Sequence, residues 1–256
     1  MTFIPRLDNG SIALAVDFPP GTPLASDTGL EALTSPRDMD KVKRDLAAAG
    51  YNGEKVVLIA ASDFPSLNAL AQGANVSPEA LVQEGPLPDL WLGDKGAPVT
   101  IVEYASTTCS HCAAFHNTTF KELKTKYIDT GKVRFVLREF PLNNVDLAAY
   151  MLARCSGDDK RYPVVDLLFS QQKAWMNDKP VASLSSLLRQ TGLSQEKFEA
   201  CLKDSELYDK MTKARDLATD KFGVNSTPTF FINGQRQVGA LSLEEMEKAI
   251  APFLKG

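Results

Sequence analysis

"VTIVEYASTTCSHCAAFH", residues 99–116, joins two patterns at one point. Its first half, "VTIVEYAS" (99–106), is rich in β-branched residues and reads as a strand. The C-x-x-C of Cys109 and Cys112 follows at once. After it, "AAFHNTTFKELKTKYIDTG" reads as one helix, with Phe115, Leu123 and Tyr127 inward and Gly131 as its stop. "KVRFVLREF" (132–140) is the next strand. Strand, helix and strand with so short a return predict a parallel βαβ unit, with Cys109 where the first strand gives way to the helix.

That position favours one kind of chemistry. A helix N-terminus carries partial positive charge and unpaired N–H groups, so it stabilises a thiolate. Cysteines so placed titrate in the range of about 3.5 to 7.5 rather than near 8.5. His111, between the two cysteines, can add positive charge or a hydrogen bond to the sulfur. Cys112, one turn on, is expected to be less accessible and placed to resolve a mixed disulfide. Stabilising the thiolate also makes the disulfide a stronger electron acceptor, by about 30 mV for each ~1.4 kcal/mol.

Two other readings of the cluster are weaker. Cys109, Cys112 and His116 share a helical face, as a zinc site would need, but the chain has no second C-x-x-C and no H-x-x-H. A hydrolase nucleophile at Cys109 with His116 as its base leaves Cys112 unexplained. His116 is therefore taken as a neighbour of the pair rather than a ligand.

Toward the C-terminus, residues from Asn144 to about Phe222 are helical in character, with breaks near Gly157, Pro163, Asp178-Lys179-Pro180 and Gly192. Ser194 caps "GLSQEKFEACLKD". "TPTFFING" and "QRQVGA" make a hairpin about the Asn233-Gly234 turn. A final helix starts at Ser242.

Toward the N-terminus, residues 77–98 read as linker-like with a short helical start. Before them, "SPRDMDKVKRDLAAAG" reads as a capped helix and "KVVLIAA" as a strand apolar on both faces, which needs neighbours that this segment lacks. The stretch at 15–72 resembles part of a solute-binding protein of the dipeptide/oligopeptide transporters. Too little of either lobe is present to build a ligand cleft. Residues 1–72 are accordingly expected to be a fusion remnant that docks loosely or is partly disordered. A peptide-binding module formed by this segment is the alternative of another class. Residues 73–98 are read as linker and extension, and 99–256 as the main domain with a helical insertion at about 144–222.

Composition narrows the partners. The chain of 256 residues has a formal net charge of -4, with Lys and Arg scattered, so no nucleic-acid face is expected. No apolar run is long enough to span a bilayer. In "MTFIPRLDNGSIALAVDFPP", Pro5, Asp8, Asn9 and Asp17 interrupt any apolar stretch, so no export leader is expected there. Of four cysteines, two are adjacent and two, Cys155 and Cys201, isolated, a division that suggests one working and one structural pair.

"VEYASTTCSHCAAFH", "STPTFFINGQ" and the helical block between them resemble the DsbA-like branch of the thioredoxin superfamily over about residues 76–256. The resemblance implies an α/β thioredoxin fold with an inserted helical subdomain, behind a small incomplete α/β segment. It implies a protein disulfide oxidoreductase that donates the Cys109–Cys112 disulfide to reduced, secreted client proteins in the periplasm. No cofactor beyond that disulfide is implied, and reoxidation would fall to a quinone-linked membrane partner. Thr227-Pro228 matches the family's cis-proline loop, whose backbone would pair with an extended substrate chain. Glu103 matches the family's buried acidic residue, with a role in proton transfer at Cys112. Cys155 and Cys201 match a second, structural disulfide found in an alphaproteobacterial group, and closing such a loop contributes roughly 4 kcal/mol on the chain-entropy model. Isomerase and reductase members of the superfamily share the Thr before the proline, so those activities remain the alternative.

Overall fold

The computed structural model describes residues 76–254. The reading of residues 1–72 as a solute-binding fragment lies outside them. The described residues form a four-stranded sheet in the order β2-β1-β3-β4, with helices on both faces. β1 (Val99–Ala105) and β2 (Val133–Glu139) are parallel, with Val99 opposite Val133 and Ala105 opposite Glu139. β3 (Thr229–Ile232) runs antiparallel to β1, and β4 (Gln235–Val238) antiparallel to β3.

Strand β1 is central because its residues suit burial on both sides. Val99, Ile101 and Ala105 face a core that includes Phe115, Phe135, Phe230, Leu168 and Trp175. Val102 and Tyr104 face a smaller one with Val136, Phe222 and Phe231. Glu103 is the charged exception, fully buried in register between Leu137 and Phe230. Asn233 and Gly234 both take positive φ (44° and 89°), as the two-residue hairpin turn requires. The Asn233 side chain also accepts from the Thr100 N–H at 2.7 Å, tying that turn to the start of β1.

The segment read as linker-like is fastened to the sheet. Its helix α1 (Pro78–Leu81) is capped by Ser77. Leu92 then pairs with Phe135 on the outer edge of β2. Arg138 joins Asp89 through two hydrogen bonds and also reaches the Leu81 carbonyl. The Tyr162 hydroxyl donates to the Leu90 carbonyl while accepting from the Leu137 N–H.

The helix after the C-x-x-C is interrupted. It runs as α2 (Ser110–Asn117) and α3 (Thr119–Leu123), then a π-helical turn at Lys124–Ile128. At Thr118 the backbone leaves the helical region, and its hydroxyl bonds the Ala114 carbonyl at 2.7 Å. Such back-bonding competes with the helical ladder, a cost that a reading by apolar spacing does not register.

Between β2 and β3 lie six helices: α4 (Asn144–Cys155), α5 (Asp158–Ser170), α6 (Gln172–Trp175), α7 (Pro180–Arg189), α8 (Gln195–Leu202) and α9 (Ser205–Phe222). The break expected at Pro163 is absent, since Pro163 lies inside α5. The carbonyl it leaves without an N–H belongs to Asp159, which is exposed and open to water. Cys155, closing α4, is disulfide-bonded to Cys201 in α8, 46 residues on. Helix α10 (Leu243–Ile250) starts behind a capping box of Ser242 and Glu245 and runs into a 3-10 turn at Ala251–Phe253.

Candidate active site

Cys109 is the N-cap of α2, with extended backbone (φ −80°, ψ 122°) and no side-chain capping bond. Its sulfur stands at the positive end of the helix without a formed bond to the N–H groups of the first turn. The Cys112 thiol beside it does most to favour the thiolate, with Thr227 and the backbone N–H groups of Cys112 and His111 adding to the effect. Partial burial opposes them. The balance holds the Cys109 thiol down at about 5. The expected help from His111 thus comes through its backbone, while its side chain is exposed.

Cys112 is the opposite case. It is fully buried, and burial pushes its thiol well above the ordinary range, with the hydrogen bond to Cys109 and the charge of Glu103 acting in the same sense. Both thiols are unbonded in this structure. One sulfur is therefore partly exposed and ionised at neutral pH, the other hidden and protonated.

Opposite the pair stands the loop that opens β3. The Thr227–Pro228 bond is cis. The Cys109 thiol lies 3.3 Å from the Thr227 carbonyl oxygen. The pairing of Tyr104 with Thr229 holds this loop at the level of the cysteines.

Glu103 and His116 meet beneath Cys112. Glu103 Oε2 and His116 Nε2 are 2.8 Å apart and both side chains are buried. The second oxygen, Oε1, is buried with no hydrogen-bond partner among the described residues. The His116 ring stacks on Phe169 at 4.3 Å, which fixes its orientation. No three His, Cys, Asp or Glu side chains among the described residues converge as a metal ion would need.

Two groups that the sequence reading passed over hold the loop before Cys109. Asp146, fully buried in the first turn of α4, accepts from Ser106 Oγ, from Thr107 N and Oγ1, and from Leu142 N, all within 2.9 Å. Gln172 Nε2 donates to the carbonyls of Thr107 (2.8 Å) and Cys109 (3.0 Å). In sequence Asp146 is an ordinary acidic residue behind a capping Asn143, and nothing there marks its burial. Cys155 and Cys201 form their bond away from this centre, within the helical layer.

A C-x-x-C at a helix N-terminus facing a cis-proline loop defines a dithiol centre of the thioredoxin class. The family model described as Thioredoxin matches residues 87–251, and the chain belongs to that family. Within it, the chain is similar to the crystal structure of Wolbachia pipientis alpha-DsbA1, with 32% identity and a TM-score of 0.63, over 70% of this chain and 96% of that one. Among curated proteins it is 38% identical over 148 residues to one of Rickettsia bellii, named as a candidate protein-disulfide oxidoreductase, covering 57% of each. A Rickettsia conorii protein named in the same way is 36% identical over 65% of this chain and 61% of its own length. The chain thus spans about three fifths of the length of these curated relatives. None of the described helices is long and apolar enough to cross a membrane.

Proposed function

We propose that this chain is a DsbA-like protein thiol–disulfide oxidoreductase that transfers the Cys109–Cys112 disulfide to reduced client proteins. A client thiolate attacks the Cys109 sulfur, and the Cys109–Cys112 bond breaks with its electron pair leaving on Cys112. A mixed disulfide joins Cys109 to the client. A second client thiolate then attacks its own partner sulfur and releases Cys109 as thiolate. The client has lost two electrons, and the enzyme pair has gained them.

The split between the two sulfurs carries this reading. A Cys109 thiol at about 5 is ionised at neutral pH by about a hundred to one. It is therefore a good leaving group in the last step, and its stable thiolate draws electrons into the pair. The Thr227 backbone beside it suits an extended client held by main-chain hydrogen bonds, a mode tolerant of sequence. Clients in the form of reduced secreted proteins, a periplasmic location and reoxidation by a quinone-linked membrane partner complete the proposal, on kinship with the DsbA-like proteins. Proton exchange between Cys112 and Glu103 belongs to it as well.

Equilibrating the Cys109/Cys112 couple with glutathione is the test. A potential near about −120 mV supports the oxidase, whereas one near about −270 mV would make the protein a reductant.

A further inference from the structure

We infer that His116 passes the Cys112 proton between Glu103 and solvent, by way of a cavity on the flank of the helical layer rather than through the mouth of the active site. The inference rests on the proposed exchange at Cys112 and adds the route that the proton takes.

Glu103 offers two oxygens with different surroundings. Oε2 is 2.8 Å from His116 Nε2, and Oε1 is buried without a partner among the described residues. Cys112 lies within reach of the Glu103 charge. A buried carboxylate that has taken up the Cys112 proton can hand it to a titratable neighbour within hydrogen-bond distance. His116 is that neighbour. His116 is also among the residues lining a cavity of about 320 Å³ between α3 and α5, with Phe120, Lys121, Lys124, Tyr162 and Asp166. Lys121 and Asp166 are exposed, so the cavity reaches the surface. An imidazole can take a proton on one ring nitrogen and release one from the other.

During client oxidation Cys112 leaves as a thiolate. Solvent protonates His116 at Nδ1, Nε2 gives its proton to Glu103, and the carboxyl group protonates the Cys112 sulfur. That proton replaces the one the client thiol lost to solvent, and the electrons remain those of the disulfide. Reoxidation runs the same route outward. His116 acts through Glu103 and touches no reacting sulfur, which makes it a positioning residue. The titratable and charged groups around it are Glu103 from β1, Lys121 and Lys124 beyond Thr118, and Tyr162 and Asp166 from α5.

The test follows reoxidation of the reduced full-length chain by oxidised glutathione, in stopped flow across pH. H116Q keeps a side chain able to hydrogen-bond Glu103 but cannot relay a proton. It is expected to slow the Cys112-dependent closure about tenfold or more, while leaving the alkylation profile of Cys109 unchanged. H116A is expected to lose the same step and regain it as free imidazole is added, which a purely structural role would not produce. Unchanged closure in both variants, or a loss in H116A that imidazole does not restore, overturns the inference. Should neither variant fold, the intact protein still reports, because its only two histidines are His111 and His116. The His116 ring nitrogens are then expected to change protonation with the redox state of the pair, and an unresponsive signal overturns the inference. Wild-type exchange with a slow E103Q and normal His116 variants sinks the relay alone; an inert wild-type pair sinks the proposed function with it.

Discussion

The Cys109 sulfur and the Thr227 carbonyl oxygen stand 3.3 Å apart although 118 residues separate them in the chain. Everything from β2 to α9 lies in that interval, yet the two ends meet because β1 and β3 are paired side by side. The gap between thiol and loop is therefore set by sheet register, and the helical layer can vary without moving it.

Cys109→Ser is expected to abolish disulfide transfer, and Cys112→Ser to accumulate client mixed disulfides visible on non-reducing gels. Cys155→Ser leaves turnover largely intact and lowers stability by about 2–4 kcal/mol in urea melts. Equal loss of turnover in all three would contradict the division into an exchanging and a structural pair.

Iodoacetamide should react with reduced protein at a rate that is half-maximal at about pH 5 and flat above it. The same shift governs stability. The folded-state value of Cys109 lies below its unfolded one, so its contribution is complete above about pH 9 and disappears as pH falls through about 5. The melting-temperature advantage of the dithiol form over the disulfide form should therefore shrink between about pH 8 and about pH 5. A gap independent of pH counts against the depressed thiol.

Asp146→Ala removes the acceptor for two hydroxyls and two backbone N–H groups. Buried donors left unmatched cost about 1–3 kcal/mol each, less where a hydroxyl can turn elsewhere, so a loss of about 3–6 kcal/mol is expected in urea unfolding. Because the loop it holds leads into Cys109, the alkylation profile of that thiol should also move upward.

Asp89→Ala leaves the Arg138 guanidinium half-matched where both side chains are mostly buried. Breaking a pair of this kind costs about 3–5 kcal/mol. Hydrogen exchange should rise first at the amides of Leu92 and Phe135, which join the extension to β2. Unchanged protection there would show that the extension is held without the ion pair.

The sheet and the placing of the C-x-x-C are legible because they depend on local signals: β-branched runs at 99–106 and 132–140, Asn233-Gly234 between two strands, and a C-x-x-C at a strand-to-helix junction. What escapes depends on distant partners. Asp146 reads as a capping residue until Ser106 and Thr107 are folded over it. Residues 77–98 look like a linker because their anchors, Arg138 and Tyr162, lie 49 and more residues away. The Thr118 break and the intact helix at Pro163 turn on hydrogen bonds of single backbone groups, which apolar periodicity does not see.

The cystine between Cys155 and Cys201 makes maturation of this chain an oxidation in its own right. Two hydrogen atoms must depart to some acceptor before α4 and α8 are stitched together, whatever state Cys109 and Cys112 are in. A freshly made copy is thus itself a customer for the chemistry proposed for its finished siblings, and a cell starved of oxidant would be short of sound enzyme as well as of charged enzyme.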